Sequence, residues 1–220
     1  MKICVIIPAY NESKTIASLI QGIKQLNLDI LIIDDGSIDN TAKIAQNNNA
    51  VVLVNPENKG KGISLCAGFN YALSKGFDAV ISMDADGQHD PNDISYFTRL
   101  AKYSTSSIFI GNRMSKPKNM PKIRFITNKF MSWLISLIAK QNIPDSQCGF
   151  RLIKKEVLEK IKFDTAKFET ESELLIKASR LGFKIESIPV NTIYRGEKSK
   201  INPILDTIRF IKFISKNIFK

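Results

Sequence analysis

Five short runs rich in β-branched residues, at 2–7, 29–33, 50–54, 78–83 and 107–110, alternate with helical patterns near 14–26, 39–48, 60–75 and 91–102. Alternation at that pitch leaves little choice of architecture, because strand–helix–strand units set parallel strands side by side through right-handed crossovers. The expected fold is α/β, a mostly parallel sheet flanked by helices. In such sheets a ligand sits at the carboxyl ends of the strands. Three of those ends carry polar clusters: Pro8-Ala9-Tyr10-Asn11-Glu12, Asp34-Asp35-Gly36-Ser37 and Asp84-Ala85-Asp86-Gly87-Gln88. Their convergence on one rim predicts a binding site there.

Each cluster has its own chemistry. Asp84 and Asp86 stand one residue apart at the end of a buried run, and two carboxylates so close repel unless a cation sits between them. Hard oxygen ligands that leave open positions suit Mg²⁺ or Mn²⁺ carrying a diphosphate. The plainer alternative is a polar turn leading into the next helix, with Asp90 as N-cap and Pro91 at N1. Glu12 and the Asp34–Asp35 pair can accept hydrogen bonds from base NH and ribose OH groups, and Gly36 permits a tight turn. Asn58-Lys59-Gly60-Lys61-Gly62 is Gly-rich, basic and opens a helix. It reads either as a phosphate cradle or as a flexible loop with a helix cap, and it lacks the P-loop pattern.

Beyond residue 110 the pattern changes. A helical pattern over 122–140 puts Ile123, Ile126, Phe130, Trp133, Leu134 and Leu137 on one arc. Asp145 to Arg151 form a polar loop entering a strand-like piece, residues 170–181 read as a helix, and a last basic amphipathic helix is expected over 203–220. The net charge of +11 is concentrated: 111–140 carries +7 and 195–220 carries +5, which leaves −1 for the rest. Something anionic meets those two segments. Nucleic acid is a poor fit, because the apolar residues between the basic ones are mainly Ile and Leu at helical spacing and not base-stacking aromatics. Cys4, Cys66 and Cys148 show no paired spacing, which argues for a reducing compartment, with Cys148 a small filler residue.

Pro-Ala-Tyr-Asn-Glu at 8–12, Asp-Asp-Gly-Ser at 34–37 and Asp-Ala-Asp-Gly-Gln at 84–88, in that order, resemble the motifs of family 2 glycosyltransferases of the GT-A fold. Gly111-Asn112-Arg113, Asp145 to Arg151 and Phe168-Glu169-Thr170-Glu171 are similar to the dolichol-phosphate mannosyltransferase-like branch, which moves a sugar from a nucleotide donor onto a polyprenyl phosphate. The resemblance implies a metal-dependent inverting transfer from a GDP-mannose or UDP-glucose type of donor. It assigns the donor to Pro8, Ala9, Tyr10, Glu12, Asp34, Asp35, Asp84 and Ala85. It assigns Mg²⁺ or Mn²⁺ to Asp84, Asp86 and Gln88, with His89 the alternative to Gln88. Arg195 and Lys200 resemble residues that close over the departing diphosphate.

A phosphate acceptor is already ionised and needs cations in place of a catalytic base. Arg113 and Arg124 are the candidates for gripping it, since the guanidinium matches phosphate bidentately. Glu169 and Glu171 stand where hydroxyl-glycosylating relatives keep their base, and here are expected to orient the sugar or Arg151. Residues 1–202 are expected to form the catalytic domain, with a nucleotide-binding half (1–110) and an acceptor half (111–202), ahead of the 203–220 helix. The helices at 122–140 and 203–220 either lie in a membrane interface or pack their apolar faces on the sheet. The first choice implies peripheral attachment at the cytoplasmic face of an anionic membrane. A membrane protein or a second copy of the chain is a further partner compatible with the pattern. The competing function is transfer to a sugar or lipid-linked hydroxyl in cell-envelope glycan synthesis.

Overall fold

The apolar runs at 2–7, 29–33, 78–83 and 107–110 form strands buried on both faces, as parallel sheets require, while the 50–54 run lies at the sheet edge with Val51 and Val54 exposed. The computed structural model describes residues 1–115, 117, 120–167, 169–193, 210, 214 and 215. Its first half runs β1 (Ile3–Ala9), α1 (Ile16–Lys24), β2 (Asp29–Asp34), α2 (Thr41–Asn47), β3 (Val51–Val54), α3 (Lys61–Ser74), β4 (Ala79–Ser82), α4 (Ile94–Tyr103) and β5 (Ile108–Asn112). The second half adds α5 (Lys122–Ala139), β6 (Arg151–Lys154), α6 (Lys155–Lys160), α7 (Glu169–Arg180) and β7 (Ile185–Pro189). All seven strands join one sheet in the order β3-β2-β1-β4-β6-β5-β7. Val5, Ile6, Ile7, Leu31, Ile32, Ile33, Ile81 and the 108–110 run are fully buried at its centre.

The five expected strands and the helices between them all appear, within a few residues. The sheet differs from a simple alternation at one place. β4 and β5 are not neighbours; β6 lies between them and runs antiparallel to both. A strand from the second half of the chain therefore completes the sheet begun by the first. β7, parallel to β5, closes that side. Neither β7 nor α6 is marked by a sequence pattern as strong as the earlier elements.

Helix α5 is where the expected arc forms, but the arc points outward. Ile123 is 74% exposed, Ile126 62%, Phe130 53%, Trp133 55% and Leu137 57%, while Leu134 is half-buried. The helix buries Met131, Ser132, Ile135 and Ala139 instead, and packs beside α7. Of the helix expected over 203–220, only Phe210, Ile214 and Ser215 fall within the described residues. Phe210 and Ile214 are helical there and buried in the core.

The three cysteines are free. Burial pushes the thiols of Cys4 and Cys148 up to about 12 and that of Cys66 to about 11. Cys148 has no accessible surface, which fits a filler residue and not a nucleophile.

Candidate active site

The sheet order places the carboxyl ends of β2, β1 and β4 next to one another, so the three polar clusters meet on one rim. Hydrogen bonds knit them. Asn11 N donates to Ser37 Oγ at 2.9 Å, Ile38 N to Asn11 Oδ1 at 3.0 Å, and Glu12 N to Thr41 Oγ1 at 2.8 Å. Ser37 Oγ donates to Asp34, which is itself buried. Thr15 Oγ1 at the start of α1 donates to Ala85 O at 2.7 Å and so joins the first cluster to the acidic loop. Gly36 turns with φ +74°, and a Cβ there would lie 2.5 Å from the backbone carbon of Glu57.

Asp35 does more than line the rim. Its Oδ1 accepts from Asn55 Nδ2 at 2.8 Å and from Lys59 N at 3.1 Å, and its Oδ2 accepts from Gly60 N at 2.8 Å. The carboxylate thus holds the Asn58–Gly62 loop at the start of α3. Gly62 is wedged under the segment before α7: a Cβ would come within 2.2 Å of Thr170 Oγ1 and 2.5 Å of Lys167 O. Much of that obstruction is backbone, which cannot give way easily. Gly62→Ala is therefore expected to destabilise the fold by about 1–3 kcal/mol, as overpacking does, and to weaken nucleotide-sugar binding. A thermal melt with and without donor checks both effects.

The acidic loop holds a compact ion cluster. Lys61 Nζ lies 2.5 Å from Asp84 Oδ1 and 2.9 Å from Glu171 Oε2. On the other side of Asp84, His89 Nε2 is 3.3 Å from Oδ2, and the buried His89 ring leans on Phe150 with centroids 5.2 Å apart. Gly149 closes a third side, where a Cβ would meet Asp84 Oδ2 at 2.6 Å. Burial works against charge here. Lys61 and His89 outweigh it for Asp84 and hold that carboxyl well below the usual range. Asp86 behaves oppositely: burial, then the neighbouring Asp84 charge, push it up. Its Oδ1 accepts from Gln88 N at 2.9 Å.

Among the described residues no three His, Cys, Asp or Glu side chains form a preassembled metal cage. The donor set nevertheless fits Mg²⁺ or Mn²⁺ bound in company with a diphosphate. Two repelling carboxylates share the loop, the Lys61 ammonium already stands as a cation on one of them, and Glu171 Oε1 is buried with no hydrogen-bond partner among the described residues. One or two carboxylates plus phosphate oxygens and water is the usual Mg²⁺ arrangement. The plainer helix-cap reading of the same turn also holds downstream: Asp90 Oδ1 accepts from Asn92 N at 3.0 Å, and Pro91 opens a short 3₁₀ turn into α4.

In the second half, Arg113 is buried and bidentate on Asp145, with Nε–Oδ2 2.8 Å and Nη2–Oδ1 2.9 Å, while its backbone N also donates to Oδ2 at 3.0 Å. The fork expected on a phosphate is engaged by a carboxylate. Arg124 lies half-buried on the first turn of α5. Arg151, fully buried, ties its own loop together through the carbonyls of Cys148 (2.8 Å), Ser146 (2.8 Å) and Glu171 (2.6 Å), with the Glu171 carboxylate 3.9 Å away. Glu169, at the start of α7, is half-buried. Glu173 is buried and structural, accepting from Asp164 N, Thr165 N and Lys177. Arg195 and Lys200 lie outside the described residues.

The sequence leaves two readings open for the loop holding Lys61, and it marks the Asp145–Arg151 loop without giving Asp145 a role of its own. A signal for Lys61 was present: a lysine at the first position of a helix opposes the helix dipole and needs a carboxylate partner elsewhere. Asp145 carried no such signal, since its partner is 32 residues away.

The glycosyl transferase family 2 model matches residues 4–162. The UDP-N-acetylglucosamine–dolichyl-phosphate N-acetylglucosaminyltransferase of Methanococcus voltae is 34% identical over 215 residues, covering 87% of this chain and 86% of that protein. The dolichol-phosphate mannosyltransferase of Pyrococcus furiosus is 33% identical over 230 residues, covering 98% of this chain and 64% of that one. Glucosyl-3-phosphoglycerate synthase from Mycobacterium tuberculosis, solved with Mn²⁺, UDP and glucosyl-3-phosphoglycerate, shares the fold with a TM-score of 0.75 at 20% identity, over 99% of this chain and 80% of that one. The fold is GT-A. The chain belongs to glycosyltransferase family 2, in its dolichol-phosphate mannosyltransferase-like branch, and is a glycosyltransferase.

Proposed function

We propose that this enzyme transfers a hexose from a nucleotide-diphosphate sugar, of the GDP-mannose or UDP-glucose type, to the phosphate of a polyprenyl or dolichyl phosphate at a membrane surface. The carrying observation is helix α5. Its first turn holds Lys122 and Arg124 and no acidic residue, a placement that the helix dipole disfavours unless an anion is bound there. The same helix then presents five exposed apolar side chains from Ile123 to Leu137. Each such side chain is half to three-quarters exposed and so leaves roughly 1–2 kcal/mol of burial unrealised in water. An anion-binding end and an apolar flank on one helix match an amphiphile with a phosphate head. Lys129 and Lys140 add basic charge, and each contributes about 1 kcal/mol near an anionic leaflet. No helix among the described residues is long and apolar enough to cross a membrane.

In the reaction, an oxygen of the acceptor phosphate attacks the anomeric carbon, the bond from that carbon to the diphosphate breaks, and the nucleoside diphosphate leaves with the electron pair. Pro8, Ala9, Tyr10, Glu12, Asp34, Asp35 and Ala85 frame the nucleoside at the rim. Asp84 and Asp86, with Gln88, would hold a divalent ion, which when bound supplies positive charge to the leaving diphosphate. Ile193 N donates to Gln88 O at 3.0 Å, and Arg195 follows two residues later. Arg195 and Lys200 are the residues assigned to the departing diphosphate. Arg124 is the leading group for the acceptor phosphate. Arg113 can add only the edge of its guanidinium that Asp145 leaves free. Glu171 is paired with Lys61 at 2.9 Å, and an ionised phosphate needs no base; Glu169 and Glu171 orient the sugar side.

The test pairs acceptors. UDP- and GDP-sugars labelled in the hexose are given to the enzyme with Mn²⁺ and either polyprenyl phosphate in anionic vesicles or a sugar-hydroxyl acceptor. Label should enter the lipid phosphate. Label only in the hydroxyl acceptor would reverse the assignment. In flotation with the same vesicles, Trp133→Glu is expected to lower bound protein about tenfold or more while its melting temperature stays put, since Trp133 is exposed.

A further inference from the structure

Lys61 holds a position that surface lysines do not. It opens α3, yet its ammonium turns inward onto Asp84 and Glu171, at 2.5 and 2.9 Å. The backbone fixes that direction from two sides: Asp35 grips the amides of Lys59 and Gly60, and Gly62 is wedged under residues 166–170. Asp84 is held as well: His89 faces its second oxygen, and the Gly149 backbone lies close against the carboxylate. A divalent cation that uses Asp84 must therefore meet the Lys61 ammonium.

We propose that Lys61 is a resident counter-ion that occupies Asp84 and Glu171 in the ligand-free enzyme, competes with the divalent metal for Asp84, and transfers to the donor's diphosphate when metal and nucleotide arrive together. The inference rests on the reading of Asp84 and Asp86 as the metal end of the donor site. Its consequence is a coupling between the two ligands. Metal alone binds weakly, because the ammonium it displaces from Asp84 stays close by, with Glu171 as its one remaining anionic partner among the described residues. A diphosphate offers that ammonium a new anionic partner, so nucleotide strengthens metal binding and metal strengthens nucleotide binding by the same factor. The arrangement also keeps Asp84 and Glu171 from repelling each other while the site waits.

The test measures Mn²⁺ binding to the full chain by the loss of the free-ion EPR signal, without sugar or acceptor, in wild type, Lys61→Met, Lys61→Gln and Lys61→Arg. Removing the competitor should tighten Mn²⁺ binding about tenfold in both neutral variants, a typical coupling magnitude, while Lys61→Arg stays near wild type. UDP or GDP should then raise Mn²⁺ affinity less in the neutral variants than in wild type. Melting temperatures without metal should fall in the neutral variants and recover with Mn²⁺. Lys61→Gln keeps a hydrogen-bonding end should Lys61→Met fail to fold. If folded neutral variants bind Mn²⁺ no more tightly than wild type, Lys61 is an ordinary structural cation and the proposal falls alone. If Mn²⁺ binds none of the four chains, the metal assignment of Asp84 and Asp86 falls, and the proposal with it.

Discussion

Replacing Asp86 by alanine is expected to cut sugar transfer about 100-fold or more while leaving the unliganded protein as stable as wild type. Groups that meet charge developing on a leaving group typically carry that much of the rate. The stability half of the expectation comes from the electrostatics of the loop. Burial and the adjacent Asp84 charge push the Asp86 carboxyl up, so its charge is a liability in the empty site. Against the loss of one hydrogen bond from Gln88 N, alanine relieves that repulsion. Nucleotide-sugar should still bind, but Mn²⁺ should no longer add to the melting temperature it confers. A thermal-shift panel of UDP- and GDP-sugars with and without Mn²⁺, run beside the transfer assay, reads both halves. Retained transfer with a strongly lowered melting temperature would make Asp86 a structural residue.

The largest stability effect is expected at Asp145. This carboxylate has no accessible surface and takes three hydrogen bonds from Arg113. Asp145→Ala leaves a buried guanidinium without its counter-charge, a change that costs roughly 3–5 kcal/mol. For a chain of this size that is a fall in melting temperature on the order of 10 °C. The exposed i,i+4 pair Lys155–Glu159, 3.3 Å apart, is the internal control. Lys155→Ala should change stability by no more than about 0.5 kcal/mol. Urea or thermal melts of the two variants decide whether burial, and not the mere presence of an ion pair, sets the difference. If Asp145→Ala melts like wild type, the pair does not hold the 145–151 loop.

The contrast between these residues shows what the sequence could convey. The apolar runs and the polar clusters that follow them are local patterns. A strand buried on both faces must be apolar throughout, and a loop that meets a charged ligand must interrupt that pattern, so β1, β2, β4 and the rim were legible residue by residue. The arc on α5 was legible too, but not its direction. The same six apolar residues could face the sheet or the solvent, and only the packing of Met131, Ile135 and Ala139 beside α7 turned the arc outward. β6 entered as a strand-like piece whose partners lay about 70 residues earlier in β4 and about 43 earlier in β5, a pairing no local period encodes.

Sequence alone determined the α/β layout, the order of the three rim clusters and the chemical class of their side chains, because each is written in neighbours a few residues apart. Tertiary structure decided which charges meet. It set Lys61 on Asp84 and Glu171, Arg113 on Asp145, and Arg151 on three backbone carbonyls, joining residues up to 110 positions apart. Electrostatic partnership depends on distances of 3–4 Å and on the exclusion of water, and both exist only after the sheet has closed around its antiparallel strand.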